Sequence, residues 1–563
     1  MNVEKITVND FLGQENSQFI VPIYQRKYDW DKDRCEKMWN NILQLHLKNK
    51  SSYFLGTMIC TIQKNTDLNF STTAIMDGYQ RLITIMLLLI ALRDYLLKNP
   101  TETLSAQQIE NKYLVNTGFS DSKHYKLFLM QGQRQEMENI INGNPSDKES
   151  LFVKNYDFFK EQIEKGTAKI APQQIYDSLQ KLEIALITLE YGKDDFYEIF
   201  ESVGNLTAKL DALDAIKMDI FIGLNAEAQQ RVYEKFWLKL EQTVLPKKDQ
   251  PEHLKNFINN YLCLRTDRDG YEKEGILFKR YHQESGLTSE ELCKDIEKNL
   301  NFYEIMRKYK TDDEELNARY QELSKGRMFW NPYFVALMLK LLEDCYDKKL
   351  ITSKDICEII DICMSASLRY CLGYDHDRFY DAPYYLLSGV IGNIDPKDYI
   401  NSIKASILSG DRSNRILKDD KFHAAFAKQR VIFPNRSVLY IFMRLERYCD
   451  GPSIKLDEAW VNFIGSGSRI GHEISGNIGN LALIADGAED EKFWKLAFNE
   501  QLRSTGSNKL TINQGIGERY WDAWAVIKRA QWLADKALKV WAYPTIDRES
   551  KYYEEVMSKK NKE

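Results

Sequence analysis

The chain has 563 residues and a mass of 66.0 kDa, which corresponds to roughly three or four domains. Hydrophobic residues make up 44% and charged residues 28%, a composition that is ordinary for a soluble globular protein. The net charge of -5 excludes a global attraction to nucleic acid, and any DNA-binding surface must therefore be local. One candidate is Lys492 to Val540, with nine Lys/Arg against four Asp/Glu, although a mixed-charge helical surface has a similar composition.

The sequence has no feature that predicts export or membrane insertion. Its first residues lack the apolar segment of a signal peptide. The longest apolar run, Ile83 to Leu92, has about half the length that a membrane-spanning helix needs. The nine cysteines include no Cys-x-x-Cys pair, and a chain of this size does not need disulfides. We therefore expect a cytoplasmic protein with reduced thiols, no membrane association and no structural zinc.

The first hundred residues predict alternating helices and strands. A helix should begin at Asp31 or Asp33 and run to about Lys48, because apolar residues recur on one face. Tyr53 to Ile62 is rich in β-branched and aromatic residues and predicts a strand. A second strand should lead into Ile75-Met76, and a helix should include Leu82 to Leu92.

From about Tyr125 the pattern becomes mainly helical, except for an apolar run that predicts a buried strand at Ile184 to Tyr191. Glycines with Asn477 and Asn480, followed by apolar residues, predict a tight hairpin within Ile470 to Ile484. The last predicted helix is Trp521 to Trp541, before a charged tail.

A phosphate-binding turn is predicted at Asp77-Gly78-x-Gln80-Arg81, between a strand and a helix. Gly78 can adopt a positive φ and allows a ligand to approach the backbone. Arg81 offers a planar fork to phosphate oxygens, and Asp77 could hold a metal ion or a water molecule. The N-terminus of the following helix favours an anion. The alternative is a structural ion pair between Asp77 and Arg81 that stabilises the turn.

A second segment, Val21 to Trp30, supplies a candidate partner for this turn. Gln25 and Arg26 would form a second clamp on the same ligand. The aromatic residues of the segment are interpreted as packing residues rather than as platforms for a base: Tyr24, Tyr28 and Trp30. Asp214, further along the chain, is either a site residue or a helix-capping or surface residue.

These motifs together resemble a known family. Pro22-x-Tyr24-Gln25-Arg26-x-Tyr28-x-Trp30, Phe54-Leu55-Gly56 and Asp77-Gly78-x-Gln80-Arg81 resemble the N-terminal domain of GmrSD-type proteins, which are modification-dependent (type IV) restriction enzymes and related anti-phage proteins. Ile199-Phe200-Glu201 with Leu210 and Asp214 resembles a later motif of that domain. The chain departs from the family at Tyr79 and Ile83, and its Gly204 and Thr207 replace the Asn and Gly of the later motif.

The resemblance implies a fold class that is α+β and mainly helical. It implies a ParB/sulfiredoxin-like nucleotide-binding domain over residues 1–225, followed by a helical middle domain over 226–435. A small HNH-like (ββα-metal-like) nuclease domain would occupy 436–543, and 544–563 would be a charged tail. Gly479-Asn480-Leu481 and the Trp521 to Trp541 helix are similar to the family's HNH-type C-terminal domain.

The nuclease resemblance is incomplete, because the catalytic histidine is missing from its expected place. The family carries it in a Glu-His-Ile-x-Pro strand, whereas this chain has no histidine in Pro452 to Trp460. An HNH site needs that imidazole as a general base, and Asn480 would orient it. His472 is either a displaced base or a residue that merely flanks the hairpin. We therefore expect a degenerate nuclease with weak or no activity.

The first hypothesis for function is an anti-phage defence protein that binds, and could hydrolyse, a nucleoside triphosphate (GTP or ATP), with Mg²⁺ as a candidate cofactor. Arg26 and Arg81 would bind the phosphates, Gln80 would orient water, and Asp77 would position metal or water. Its partners would be DNA, such as modified phage DNA, and another protein of a defence operon. The alternative is a non-catalytic sensor or regulatory subunit, and a plain helical scaffold is a third hypothesis.

Overall fold

The computed structural model describes residues 1–65, 69–120, 123–129, 133–145, 147–166, 170–190, 194, 199, 212–222, 224, 226–240, 251–266, 274–325, 331–373, 382–409, 416–431, 436–449, 459–465, 470–484, 498–516 and 521–560. The chain divides into two units, Met1–Lys235 and Phe236–Glu563. The four-part division predicted from the sequence stays a prediction.

The N-terminal unit is built on a mixed sheet of six strands. The strands are β1 (Asn2–Thr7), β2 (Ser17–Ile20), β3 (Tyr53–Asn65), β4 (Phe70–Asp77), β5 (Leu127–Phe128) and β6 (Leu182–Leu189). Their order is β1-β6-β3-β4-β2-β5. The β1–β6 and β3–β4 pairs are antiparallel, and the other neighbouring pairs are parallel. The predicted strands at 53–62, before 75–76 and at 184–191 are therefore confirmed.

Helices accompany this sheet in chain order. They are α1 (Val8–Leu12), α2 (Lys32–Leu47), α3 (Tyr79–Lys98), α4 (Ala106–Ile109) with a π-helical turn at Glu110–Leu114, α5 (Gln133–Ile141), α6 (Leu151–Gly166), α7 (Pro172–Gln180), α8 (Ala212–Phe221) and α9 (Ala226–Val232) with a π-helical turn at Tyr233–Trp237. Asp31 caps α2 by accepting a hydrogen bond from the Arg34 N–H, at 3.1 Å, as the sequence predicts.

The centre of this unit is α3, whose twenty residues are apolar almost all round. Leucine, isoleucine and methionine side chains on every face are buried, so α3 belongs to the core rather than to an amphipathic surface layer. It packs against α6 and α4. Because this helix is held on all sides, its first turn is a fixed point to which a ligand site can be attached.

The second unit is mainly helical. Its helices are α10 (Pro251–Arg265), α11 (Glu274–Ser285), α12 (Ser289–Lys308), α13 (Glu314–Lys325), α14 (Pro332–Leu342) with a π-helical turn at Glu343–Asp347, α15 (Ser353–Leu372), α16 (Ala382–Leu386), α17 (Tyr399–Ser409), α18 (Asp419–Lys428), α19 (Arg436–Tyr448), α20 (His472–Ser475), α21 (Phe498–Ser504), α22 (Ala523–Val540) and α23 (Tyr552–Lys560). Short 3₁₀ turns lie at Ile391–Asn393, Ile478–Asn480, Ser507–Lys509 and Thr511–Asn513. An α+β class that is mainly helical is thus confirmed.

A two-stranded antiparallel sheet pairs β7 (Trp460–Phe463) with β8 (Leu481–Ile484). The hairpin predicted within residues 470–484 is therefore wrong, since only its second half is a strand. Gly471, with φ of 89°, leads into α20, and the Asn477 side chain accepts a hydrogen bond from the Gly479 N–H at 2.8 Å. The asparagine and glycine residues that suggested a hairpin turn instead form a helix-to-strand connection.

The described residues contain no helix that is both long enough and apolar enough to cross a membrane. All nine cysteines are free thiols. Within those same residues, no cluster of three or more His, Cys, Asp and Glu side chains could hold a metal ion.

A buried arginine connects several segments of the second unit. Arg369, on α15, is fully buried and uses all three guanidinium nitrogens. Nε donates to the Trp541 carbonyl, Nη1 to the Leu417 carbonyl and Nη2 to Oδ1 of Asp419, each at 2.8 Å. The Phe422 ring lies 4.3 Å from the guanidinium carbon. This side chain therefore donates hydrogen bonds to backbone carbonyls, and an apolar side chain at this position would leave those carbonyls without donors.

Replacing this arginine should weaken the second unit strongly. We expect Arg369→Met to lower the free energy of unfolding by about 3 kcal/mol or more, because buried carbonyls lose charged donors. The solvent-exposed Arg548→Met is the matched control and should change it by less than about 0.5 kcal/mol. Denaturant unfolding followed by circular dichroism measures both, and equal midpoints for the two variants would contradict this role for Arg369.

Candidate functional site

The turn from β4 into α3 depends on glycine. Gly78 has φ of 92°, a left-handed conformation that side-chain-bearing residues rarely adopt. A Cβ atom at this position would lie 3.2 Å from Cγ of Met58 and 3.3 Å from Nη2 of Arg81. The chain therefore reverses sharply here, with the Asp77 carboxylate on one side and the start of α3 on the other.

The N-terminus of α3 lacks a side-chain cap. Gly78 is the N-cap residue, and it has no side chain that could accept from the first helical N–H groups. The first helical backbone bond joins the Leu82 N–H to the Gly78 carbonyl at 3.1 Å. The positive end of a twenty-residue helix dipole is thus directed at this turn, which favours an anion.

Segment 21–30 lies against this turn, as the sequence predicts. Gln25 Nε2 donates to the Met76 carbonyl at 2.8 Å. The Gln80 amide makes two further connections: Nε2 donates to the Lys27 carbonyl at 3.0 Å, and Oε1 accepts from the Asp29 N–H at 3.1 Å. Glutamines from both motifs therefore fasten two segments that are about fifty residues apart in the chain.

The hydrogen bonds of Gln80 are all made to other parts of the protein, so its side chain stabilises the fold. Its side chain is buried, and its Nε2 also lies 3.2 Å from the Tyr79 hydroxyl. A water-orienting role for Gln80 was predicted and stays a prediction, but the contacts made by this amide are those of a structural connector.

Arg26 is the accessible cation of the site. Its side chain is 50% exposed, and Nη1 lies 4.0 Å from Oδ2 of Asp29. Burial lowers the pKa of Arg26, but the Tyr79 hydroxyl and the charges of Asp29 and Asp214 outweigh this effect and raise it. The guanidinium therefore stays charged while half of its surface is open to solvent.

Two carboxylates lie within electrostatic reach of that guanidinium. Asp77 is 26% exposed, and burial raises its pKa above the ordinary value, while Arg81, the Gly78 N–H and Arg26 counteract the rise. Asp214 is in the first turn of α8 and also interacts with Arg26. Arg26 thus interacts electrostatically with both predicted carboxylates, Asp77 and Asp214.

Arg81 faces the sheet. Nη1 donates to the Leu55 carbonyl at 2.9 Å, and Nη2 donates to the Thr57 carbonyl. These carbonyls flank Gly56, where the β3–β6 pairing has a bulge and φ reaches 120°. Nη2 also lies 4.0 Å from the Asp77 carboxylate. A phosphate-binding role for Arg81 stays a prediction, and its visible contacts are the structural ones that were the alternative.

The glycine in Phe54-Leu55-Gly56 has a steric explanation. A Cβ atom on Gly56 would lie 2.0 Å from Nη1 of Arg81, so only glycine admits the guanidinium. The Arg81 pKa is lowered by burial, and the charge of Asp77 opposes the shift. The two family-like motifs are therefore complementary parts of a single contact.

The aromatic residues of segment 21–30 pack as the sequence predicts. Tyr24 and Tyr28 are buried. The Tyr28 hydroxyl lies 2.7 Å from the Thr84 hydroxyl, and Asn155 Nδ2 donates to it at 3.0 Å. Of the later motif, only Ile199 and Asp214 are described, because Phe200, Glu201, Gly204, Thr207 and Leu210 lie outside the described residues.

Sequence analysis did not single out two residues of the site. Asp29 interacts with Arg26, and the Tyr79 hydroxyl contacts both Gln80 and Arg26. The sequence did offer a signal for Asp29, because an acidic residue three positions after an arginine often forms an ion pair with it. Tyr79 was noted only as a departure from the family and had no signal of its own.

At the other end of the chain, Asn480 is a fully buried connector. Its Nδ2 donates to the carbonyls of Gly465 and Ser475, at 2.9 and 2.8 Å. Its Oδ1 accepts from the Gly465 N–H and from Trp521 Nε1, each at 3.0 Å. The amide thus has protein partners on both sides. His472 is exposed at the start of α20, and the segment expected to carry the nuclease histidine, residues 452–458, lies outside the described residues.

Comparison with known proteins supports the N-terminal resemblance. Residues 8–221 match the family model of the GmrSD restriction endonuclease, N-terminal domain. This match supports a GmrSD-like N-terminal domain in the first unit, as the resemblance of the motifs predicts. A search of curated proteins finds no match.

The steric complementarity of Gly56 and Arg81 can be tested by substitution. Gly56→Ala should lower the free energy of unfolding by about 2–4 kcal/mol, because it displaces the partly buried guanidinium of Arg81 in addition to straining φ. Gly143→Ala is the matched control, with φ of 76° and open space around the new methyl group. It should cost only about 1 kcal/mol. Equal losses in thermal or urea unfolding would mean that φ alone explains the glycine.

Proposed function

We propose that the chain is a restriction-type defence protein whose N-terminal unit binds the phosphates of a nucleoside triphosphate at the start of α3. The observation that carries the proposal is the connection between the two motif segments, made by Gln25 and Gln80. It sets a half-exposed arginine beside an uncapped helix N-terminus, and these are two independent attractions for the same anion.

Arg26 is the principal phosphate ligand in this proposal. Its guanidinium is charged and half exposed, so it can turn from Asp29, 4.0 Å away, to a phosphate oxygen. Arg81 stabilises the site, because its guanidinium contacts both the β3 bulge and the Asp77 carboxylate. The backbone N–H groups at the start of α3 then complete a cradle for the phosphate charge.

Asp77 and Asp214, which both interact electrostatically with Arg26, would give the site its second feature, carboxylates near the phosphate position. Carboxylate oxygens are the ligands that Mg²⁺ prefers, and a triphosphate would contribute oxygens of its own. Mg²⁺, when bound, would neutralise phosphate charge. The protein residues would hold the phosphates and orient the attacking water by preorganised charges, without a covalent intermediate.

A second candidate function is a non-catalytic sensor or regulatory subunit. The environment of Asn480 favours it, because an amide bonded to two carbonyls, a backbone N–H and an indole has no group left to orient an imidazole. In this version the nucleotide site is retained, and the C-terminal unit recognises DNA or a partner protein of a defence operon without cutting.

Nucleotide binding is tested with Arg26→Ala. Titration calorimetry with ATP and with GTP, each with Mg²⁺, should show binding to the wild type that weakens at least about tenfold in the variant, since a charged hydrogen bond is lost. Arg34→Ala is the matched control, because this arginine also approaches Asp29, at 3.5 Å, from α2. It should bind within about twofold of wild type.

The outcomes separate cleanly. If the wild type binds neither nucleotide, the proposed ligand is wrong. If all three proteins bind equally, the ligand is right but its site lies elsewhere.

Strand cleavage is tested with supercoiled plasmid DNA and Mg²⁺ or Mn²⁺. We expect no metal-dependent nicking above that of an Asn480→Ala variant. That variant should instead lose about 2–4 kcal/mol of unfolding free energy, because its buried partners lose their hydrogen bonds. Nicking that disappears in both His472→Ala and Asn480→Ala, with His472→Ala still fully folded, would overturn the degenerate-nuclease prediction.

A further inference from the structure

The outer face of α22 carries aromatic and basic side chains, of which Trp524 and Lys528 are exposed and Trp532 and Lys536 are partly exposed. Its buried face is aliphatic: Val526, Ala530, Leu533, Ala534 and Ala537. The opposite face follows spacings of three and four residues and is exposed at Trp524, Lys528, Gln531, Asp535 and Lys539. The exposed fraction of the Trp524 side chain is 64%, so most of this ring faces solvent rather than the core.

Each tryptophan of this face carries a lysine one turn later. Lys528 Nζ lies 4.9 Å from the centroid of the Trp524 ring, and Lys536 Nζ lies 5.7 Å from that of Trp532. The cation–π contacts hold each ammonium beside a flat apolar surface. The pairs repeat after eight residues, about 12 Å along the helix axis.

The charge of this face is basic on balance. Lys528, Lys536 and Lys539 face one exposed acid, Asp535, whose carboxylate contacts His423 at 3.0 Å. Arg529 points into the core instead, where it donates to the carbonyls of Gly479 and Ile512. This local excess occurs in a chain whose net charge is -5, so it attracts anions that the whole molecule does not.

We propose that this face, defined by Trp524, Lys528, Trp532, Lys536 and Lys539, binds single-stranded nucleic acid. Indole rings accept stacked bases, and adjacent lysines reach the phosphates between them, which is the combination that sequence-tolerant single-strand binding uses. A duplex offers its phosphates to the lysines, but its bases are stacked on one another and cannot stack on the indole rings. The inference goes beyond the proposed function, since it requires neither nucleotide nor cleavage.

The test is fluorescence anisotropy of a labelled fifteen-nucleotide oligo-dT with the full-length protein, in EDTA and without nucleotide. Trp524→Ala should weaken binding by about fivefold or more, and Trp524→Phe should restore most of it, because stacking needs only an aromatic face. Lys528→Ala should reduce the dependence of log K on log salt by about 0.7, the value of one phosphate contact on a single strand.

Two surface variants elsewhere in the same unit serve as controls. Tyr448→Ala removes an aromatic side chain that is 46% exposed, and Lys294→Ala removes one exposed positive charge next to Glu290. Both should bind oligo-dT within about twofold of wild type and keep its salt dependence. Because Trp524 is largely exposed, all variants should retain wild-type circular dichroism.

Other occupants would give different results. The proposal is overturned if the wild type does not bind oligo-dT at low salt, or if Trp524→Ala binds it like wild type. A blunt duplex that binds as tightly, with no effect of Trp524→Ala, would mean phosphate attraction alone. Binding of poly-glutamate but not oligo-dT would assign the face to an acidic protein. A dimer that Trp524→Ala converts to monomer would assign it to a second copy.

Discussion

The N-terminal site depends on the partly buried guanidinium of Arg81. Arg81 reaches back from the first turn of α3 to the carbonyls of Leu55 and Thr57, on both sides of the β3 bulge at Gly56. That contact joins the central helix to the central strand at the point where Asp77 and Gly78 form the turn. Any ligand role of the turn presupposes this contact, because without it neither the helix N-terminus nor the carboxylate has a defined position.

The polar residues of the two motifs therefore have different roles. Gln25, Gln80 and Arg81 are directed inward and hold backbone to backbone, whereas Arg26 remains half exposed. The sequence alone suggests that every polar residue of such a motif binds the ligand. The contacts instead indicate a rigid support beside the accessible guanidinium of Arg26, and such a support keeps a binding group preorganised.

The second unit uses buried arginine and asparagine side chains in the way that the first unit uses Arg81. Arg369, Arg529 and Asn480 each bind several backbone carbonyls in the second unit, so polar side chains there act as internal connectors between short segments. The tryptophan and lysine face of α22 is the exception, because Trp524, Lys528 and Lys539 are exposed to solvent. Its aliphatic underside anchors the helix and leaves the outer face available for binding.

The sequence by itself determined the elements and the pairing of motifs. Apolar periodicity located α2, α3 and α22. A run rich in β-branched and aromatic residues located β3, an apolar run located β6, and the motifs indicated the family-like N-terminal unit. Only the tertiary structure decided which polar groups face inward, because a guanidinium or an amide can bind a phosphate or a strand carbonyl equally well. It also paired β8 with the distant β7, a long-range contact that local glycine and asparagine signals cannot encode.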